Sequence, residues 1–554
     1  MSEEPPKADE ELRLDAAERA AEAFRPGEEP TADMAPGERA GRIGRSTAFF
    51  SIATAASRTA GLVREIVAAG YFGVKGPMSA FTIAFQVPNL VRSLFADAAL
   101  QPAFVPVFTE KLEERQYKEA FRLASTMLFM VTLVLGAITA LFVVLAPLLM
   151  PLFAPGFEGE IKDLTIALSR ILFPILILLG TTGMVVGILN SYDRFGAFAI
   201  SPFFWNVVII AVLVALAPAF SGNDRIYAYA IGILAGTVVQ LLIPAWDLRH
   251  TPFRFNWSFD WRSPDVRRVL LLMLPVALSL GLVNFNLVIN SIFGSLVSDR
   301  APAAIDKAFR VFQLPQGIFS VAITTVLFPT LARFAARHEL ENLRATMANG
   351  MRQITFILVP AAAAILVLSE PMIRLVYQRG EFTGSQTQLV ATALFWYGFL
   401  LPTNGIYLLL IRTFFSMQRP WIATAIAGVD LVLNAVGSLV LYKPFGVAGI
   451  VASTAGTTII IVAIQVHVLR RELGGLDLRQ FLDSGLRVAI AAAALAAVSF
   501  GLWDVLDSAL GRSLGAQIVS LGSALAAGAA VYLLLARALR VPELEQIIRL
   551  IRRR

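Results

Sequence analysis

LASTMLFMVTLVLGAITALFVVLAPLLMP, the stretch from Leu123 to Pro151, contains no Asp, Glu, Lys or Arg. As a helix rising ~1.5 Å per residue it is longer than the ~30 Å hydrocarbon layer of a bilayer. Comparable apolar blocks lie on either side of it, near 47–72, 80–108, 164–190, 200–220 and 226–246. After a polar loop at 247–267 they resume near 268–296, 303–332, 350–376, 387–411, 420–441, 446–469, 485–507 and 514–536. With 56% hydrophobic and only 16% charged residues among 554, the chain has no water-soluble packing solution. The expected fold is an all-α polytopic membrane protein of about fourteen transmembrane helices.

The loops supply a direction. Basic residues gather in alternate connections: Lys111, Arg115, Lys118 and Arg122; Arg249, Arg254, Arg262, Arg267 and Arg268; Arg333, Arg337 and Arg344; Arg470, Arg471 and Arg479. The opposite connections are short and sparsely charged, around Lys75, Glu158 with Glu160, and Lys443. This alternation predicts an inner-membrane protein with both termini cytoplasmic, and it accounts for the net charge of +7 without nucleic acid. Residues 1–45 are polar and rich in Glu, Ala, Pro and Arg, so a disordered cytoplasmic tail is expected there, with no signal peptide to remove. Residues 539–554, with Leu544, Ile547, Ile548 and Ile551 among arginines, read as a basic amphipathic tail attracted to anionic lipid.

The sequence also repeats. Phe85-Gln86-Val87-Pro88 recurs as Phe312-Gln313-Leu314-Pro315, Phe72-Gly73 as Phe293-Gly294, and Val105-Pro106 as Phe328-Pro329. The spacing of about 220 residues equals six spans. Because six is even, both copies enter the membrane in the same sense. Two six-helix bundles, 46–247 and 268–470, are expected about a pseudo-two-fold axis along the membrane normal, with a terminal helix pair at 484–538.

Charges at membrane depth mark candidate function, because each costs ~2.5–3.5 kcal/mol on the insertion scale. The first span carries Arg58, Arg64 and Glu65, the second Arg92 and Asp97, and the eighth Asp306, Lys307 and Arg310. Ser57, Gly61, Arg64 and Ala68 share one helical face, with small residues beside the arginine. Guanidinium forks suit a diphosphate. The same residues could instead form ion pairs with Glu65, Asp97 and Asp306, or snorkel to an interface. Asp430 and Asn434 lie four apart in the eleventh span, and the twelfth offers Ser453 and Thr454. Their oxygens could bind a cation such as Na⁺ or join helices by hydrogen bonds, the reading also given to Asn284, Asn286 and Asn290.

Other chemistries find little support. There is no cysteine, and His250, His338 and His467 are far apart in sequence, which argues against a metal site. No Walker pattern and no nucleophile–base pair is visible, so neither an ATPase nor another enzyme is expected, and no cofactor.

Several of these segments together resemble a known family. Ser57-Arg58 through Gly61, Arg64-Glu65 and Phe72-Gly73 resemble the opening helix of the MurJ (MviN) lipid II flippases. Ala80-Phe81 through Ala84-Phe85, Pro88-Asn89-Leu90-Val91-Arg92, Leu94-Phe95-Ala96 and Ala103-Phe104-Val105-Pro106 look like that family's signature. Ile188-Leu189-Asn190, Arg194-Phe195 and Gly380-Glu381-Phe382-Thr383 are similar to further family segments. The resemblance runs from about residue 46 through the twelfth span.

The resemblance implies the multidrug/oligosaccharidyl-lipid/polysaccharide exporter fold, with two bundles around a cationic cavity and a terminal pair that forms a groove for the lipid tail. The implied substrate is undecaprenyl-diphosphate-linked disaccharide-pentapeptide, moved from the inner to the outer leaflet by alternating access. Arg58, Arg64, Arg92 and Arg310 match its substrate-binding arginines, and Glu65, Asp97 and Ser79 its gate or charge partners. Asp430, Asn434 and Thr454 match a sodium site reported in some members. The drive would be Na⁺ or the membrane potential, and membrane lipids and cell-wall synthesis proteins are candidate partners. Ser79 stands where the family usually has Asp, Phe309 where an Asp is common, and Gln418-Arg419 where Asp-Thr is usual. Two other readings remain: export of another polyprenyl-diphosphate oligosaccharide, or a non-transporting scaffold of wall synthesis.

Overall fold

A computed structural model describes residues 36–95, 100–257, 259–475 and 478–545. In chain order the helices are α1 (Pro36–Phe72), α2 (Gly76–Phe95), α3 (Leu100–Glu113), α4 (Tyr117–Phe153), α5 (Gly159–Leu172), α6 (Ile175–Ser191), α7 (Gly196–Leu216) and α8 (Ile226–Asp247). They continue as α9 (Pro264–Val297), α10 (Ala301–Pro315), α11 (Val321–Ala336), α12 (Leu340–Tyr377), α13 (Gly384–Ser416), α14 (Pro420–Glu472), α15 (Leu478–Leu510) and α16 (Leu514–Ala538). The described residues contain no strand.

The first helix starts at Pro36, inside the stretch expected to be tail. Proline is pre-organised for a first helical position, and the Ala and Arg residues that follow favour helix. The rest of the expected tail, residues 1–35, lies outside the described residues, as do 546–554 of the basic C-terminal segment.

Ten helical segments among the described residues are long and apolar enough to cross a membrane. Leu141, Val144, Leu148 and Leu152 form an exposed stripe at helical spacing down α4. Such a stripe has no place in water, and lipid is its solvent. The expected count of fourteen differs for local reasons. The single helix α14, 53 residues long, holds two expected spans. The other expected spans are α1, which carries charges within it, α2 with α3, which residues 96–99 outside the description separate, and α9.

Prolines and glycines set the breaks. Between α5 and α6 the helix gives way at Phe173-Pro174 because Pro174 has no N–H to donate. The α14 rod reverses after Pro444 at Gly446, whose φ of 57° and ψ of −133° suit glycine only. The two arms then pass so closely that a Cβ on Gly449 would lie 2.1 Å from the Leu441 carbonyl oxygen. The eighth span bends too, through a π-helical turn at Gln316–Ser320 directly after Pro315.

The chain divides into two compact units. One takes in the described residues through Ala68, Ile83–Leu152 and Glu158–Asn284; the other comprises Ala69–Thr82, Phe153–Phe157 and the chain from Phe285 onward. In the first unit Phe104, Phe108, Tyr117, Phe121, Tyr192 and Phe253 anchor a core around α3, α4 and α6. In the second, α12 packs on α13 and α15, and α15 on α16. A Phe356, Val488, Leu495 and Tyr532 cluster holds the terminal pair to α12.

Gly446→Ala is expected to destabilise the protein by about 1–3 kcal/mol, because the alanine Cβ opposes the required backbone conformation. Gly428→Ala, where an added Cβ meets nothing within 4 Å, is the control. Thermal unfolding of both variants in detergent checks this.

Candidate functional site

The membrane-depth charges sit in distinct settings. In the first unit, Arg64 of α1 is buried, with Nη2 2.5 Å from Glu65 Oε1 and its guanidinium 4.6 Å from the centre of the Trp205 ring on α7. The ring is fixed from behind, where Trp205 Nε1 donates to Thr237 Oγ1 of α8 at 3.1 Å. Gly236 permits that approach, since a Cβ there would meet the Trp205 carbonyl oxygen at 2.9 Å. Asn206 Nδ2, one residue along, donates to the Ser57 carbonyl at 3.4 Å and the Pro202 carbonyl at 2.8 Å.

The Ser57–Gly61–Arg64 face is therefore real, and its small residues serve close packing of α1 against α7. Sequence reasoning missed Trp205 and Asn206. A Trp-Asn pair inside an otherwise apolar span was the available signal. Arg58, about 100° around the helix from Ser57, is exposed. Arg92 lies in α2 one turn after Pro88, with its side chain outside the description; Asp97 lies outside the described residues altogether.

In the second unit, Arg310 Nη2 donates to Asp306 Oδ1 at 3.2 Å, one turn back on α10. Beside them Lys307 is fully buried, with its ammonium 5.7 Å from the centre of the Tyr377 ring. Phe309 joins an aromatic group, 5.6 Å from both the Phe312 and Tyr397 ring centres. Its apolar character is thus matched by its neighbours.

Ser79 belongs to this unit as well. It is fully buried, and its Oγ accepts from Ala303 N at 3.2 Å. Ala303 is the third residue of α10, and no side chain of the preceding Arg300 caps that helix. Ser79 thus satisfies one of the open amides of a helix N-terminus. Around it, Glu381 N donates to the Gly70 carbonyl at 2.9 Å, Val74 N to Gln386 Oε1 at 3.0 Å, and Lys75 Nζ to Glu381 Oε2 at 2.5 Å. Glycine is required at 380, with φ of +57°, because a Cβ would stand 2.4 Å from the Gly70 oxygen. The Gly380–Thr383 motif is therefore the seat that holds residues 70–79.

The candidate cation residues do converge. Asn286 Nδ2 donates to Asp430 Oδ2 at 2.7 Å, and Asn434 Nδ2 to Asn286 Oδ1 at 3.2 Å and Asn290 Oδ1 at 3.3 Å. Thr454 Oγ1 donates toward Asn434 Oδ1 at 3.1 Å and Asn290 Oδ1 at 3.2 Å; Ser453 Oγ reaches Asn434 Oδ1 at 3.3 Å. Asn286 and Asn290 of α9, read from sequence as packing, are members of the same cluster. One carboxylate meets neutral side-chain oxygens here, and hydrogen bonds already join them across the helices. No group of three or more His, Asp or Glu that could hold a metal occurs among the described residues.

Comparison with known proteins places this geometry. A solved lipid II flippase MurJ in an inward closed conformation matches with a TM-score of 0.73 at 22% identity, over 88% of this chain and 97% of that one. An inward-facing multidrug resistance transporter of the MATE family in the MOP superfamily matches at 0.60 and 16% identity, over 76% and 94%. This chain shares the all-helical fold of these two solved proteins.

The family model for lipid II flippase MurJ matches residues 68–513. A probable lipid II flippase MurJ of Rhizobium meliloti (strain 1021) is 33% identical over 518 residues, covering 90% of this chain and 95% of that protein. Lipid II flippase MurJ of Burkholderia cenocepacia is 28% identical over 407 residues, covering 72% and 78%. The chain belongs to the MurJ family of lipid II flippases.

Asn434→Leu is expected to cost about 1–3 kcal/mol, because it removes the hub that Asn286, Asn290, Ser453 and Thr454 share and leaves buried polar groups without it. Thermal unfolding of the variant measures the loss, and Ser438→Ala on the same helix arm is the comparison.

Proposed function

We propose that this chain carries lipid II across the cytoplasmic membrane, from the inner to the outer leaflet, by alternating access. The observation that carries the reading is the family match from residue 68 to 513, together with a relative aligned over 90% of the chain. In this reading the chain crosses the membrane fourteen times with both termini cytoplasmic. Its substrate is the undecaprenyl-diphosphate-linked disaccharide-pentapeptide, and it catalyses no covalent step.

The arginines receive the diphosphate. Arg58, exposed on α1, makes the first contact in the first unit, and Arg310 is the candidate of the second unit. Arg64 is already stabilised by Glu65 and the Trp205 face, so it gains only the difference between carboxylate and diphosphate when substrate arrives. That difference favours the ligand, which carries more charge and more acceptor oxygens. The drive is the membrane potential or Na⁺ held at Asp430, Asn434 and Thr454 with Asn286 and Asn290.

Arg64→Ala is expected to abolish growth rescue in cells depleted of their own lipid II flippase, and Arg58→Ala to weaken it. Removing one partner of a buried pair can cost ~3–5 kcal/mol. Arg64→Lys therefore accompanies them: it keeps the charge, should reach the membrane, and should still rescue poorly because the fork is lost. Full rescue by Arg64→Lys and Arg58→Ala together would remove the guanidinium mechanism. Native mass spectrometry comparing lipid II with other undecaprenyl-diphosphate glycans tests the substrate.

A further inference from the structure

Between α8 and α9 the chain runs Trp246 to Arg262 with a composition the flippase mechanism does not use. It holds Trp246, Phe253, Phe255, Trp257, Phe259 and Trp261 interleaved with Arg249, Arg254 and Arg262. From Phe253 to Trp257 it has no regular helix or turn. It is nevertheless fixed in place. Phe253 is buried in the core of the first unit, edge-on to Phe121 at 5.5 Å. Asn256 N donates to Ser125 Oγ at 2.9 Å and Asp260 N to Thr126 Oγ1 at 3.4 Å, which pins the segment to the first apolar turns of α4. Phe259 lies edge-on to Phe129, one turn deeper, at 5.1 Å.

Apart from Phe253, the aromatic side chains of the segment are exposed. Trp257 is 81% exposed, Trp246 62% and Trp261 54%, and Phe255 and Phe259 are exposed too. Two of the indoles carry a guanidinium on the face, Arg249 over Trp246 at 4.3 Å and Arg262 over Trp261 at 4.9 Å. Five large aromatic groups held open to solvent would be an aggregation hazard on a soluble surface. Both ends of this segment, however, are fixed at the ends of apolar helices, and its bonds join it to Ser125 and Thr126, at the start of the charge-free stretch that opens with Leu123. Amphipathic indoles with arginine heads are the side chains that favour the depth where hydrocarbon gives way to headgroups.

We propose that the described residues of 246–262 form an interfacial strap that seats in the cytoplasmic leaflet, with the aromatic rings among the upper acyl chains and Arg249 and Arg262 on the phosphates of anionic phospholipid. The positive charge matches the leaflet that carries anionic lipid. Assignment of the leaflet rests on the topology proposed above.

The chain has no cysteine, so single cysteines can be placed cleanly. Trp257→Cys in the strap and Arg337→Cys in another basic loop are labelled with a fluorophore in the full-length protein. Both are reconstituted in vesicles of phosphatidylcholine and phosphatidylglycerol. The label at 257 is expected to be quenched by brominated acyl chains and shielded from iodide, and the label at 337 to behave in the opposite way. An impermeant maleimide on Arg337→Cys reports sidedness separately. No bromolipid quenching at 257, with Arg337→Cys reacting from the cytoplasmic side, would overturn the strap and leave the topology standing. Quenching at 257 with Arg337→Cys reacting from the outside would overturn the topology, and the leaflet with it. Arg249→Gln with Arg262→Gln is expected to lower the preference for phosphatidylglycerol in native mass spectrometry by about fivefold per arginine. An unchanged preference would overturn the electrostatic half of the proposal.

Discussion

The constraint on which the structure depends is that hydrocarbon offers a charged side chain no solvent. A charge placed there must either face water or find its partner inside the protein, and two buried arginines are partnered in the same way. Arg64 meets Glu65 on one side and the Trp205 face on the other. Arg374 meets Asp507 and the Trp503 face, on the helices that join the terminal pair to α12. A carboxylate supplies charge and an indole supplies a polarisable wall, so the guanidinium charge is balanced with little water. Lys307, fully buried against Tyr377, follows the aromatic half of that arrangement.

Much of this was legible in the sequence, for physical reasons. Spans are legible because one helix must supply about twenty apolar residues. The reversal within α14 was expected at 442–445, and the structure turns at Gly446 after Pro444. The Ser57–Gly61–Arg64 face was legible because helical periodicity fixes which residues share a side. What faces it was not. Trp205 and Asn206 lie about 140 residues later, and no local pattern announces a contact at that separation. The same limit separated Asn286 and Asn290 from Asp430 and Asn434, which only the packing of α9 against α14 unites.

Pairing also changes what the arginines can do. A guanidinium waiting unpaired would bind any anion strongly and release it slowly. One that rests on its own carboxylate presents only a difference in affinity, and a ligand shifts an equilibrium by no more than that difference. In the proposed mechanism Glu65 beside Arg64 and Asp306 one turn from Arg310 would act as internal competitors for the fork of their own arginine. A carrier that must both take up and release a multiply charged headgroup needs that balance more than it needs tight binding.

Ser79 extends the argument to the seat around Gly70 and Gly380. Where the family usually places a carboxylate, this chain caps the start of α10 with a hydroxyl, through the bond from Ala303 N. A carboxylate there would add attraction to the helix dipole, and charge-assisted bonds to backbone amides are roughly twice as strong as neutral ones. The neutral cap holds the same geometry more weakly. The charge has not vanished from the region, since Lys75 and Glu381 form an exposed pair beside it. An exposed pair is worth ~0–1 kcal/mol and weakens with salt, so it guides the two segments together without locking them. Holding force in this seat therefore comes chiefly from shape: the close approach of Gly380 to the Gly70 carbonyl, which any larger residue would forbid.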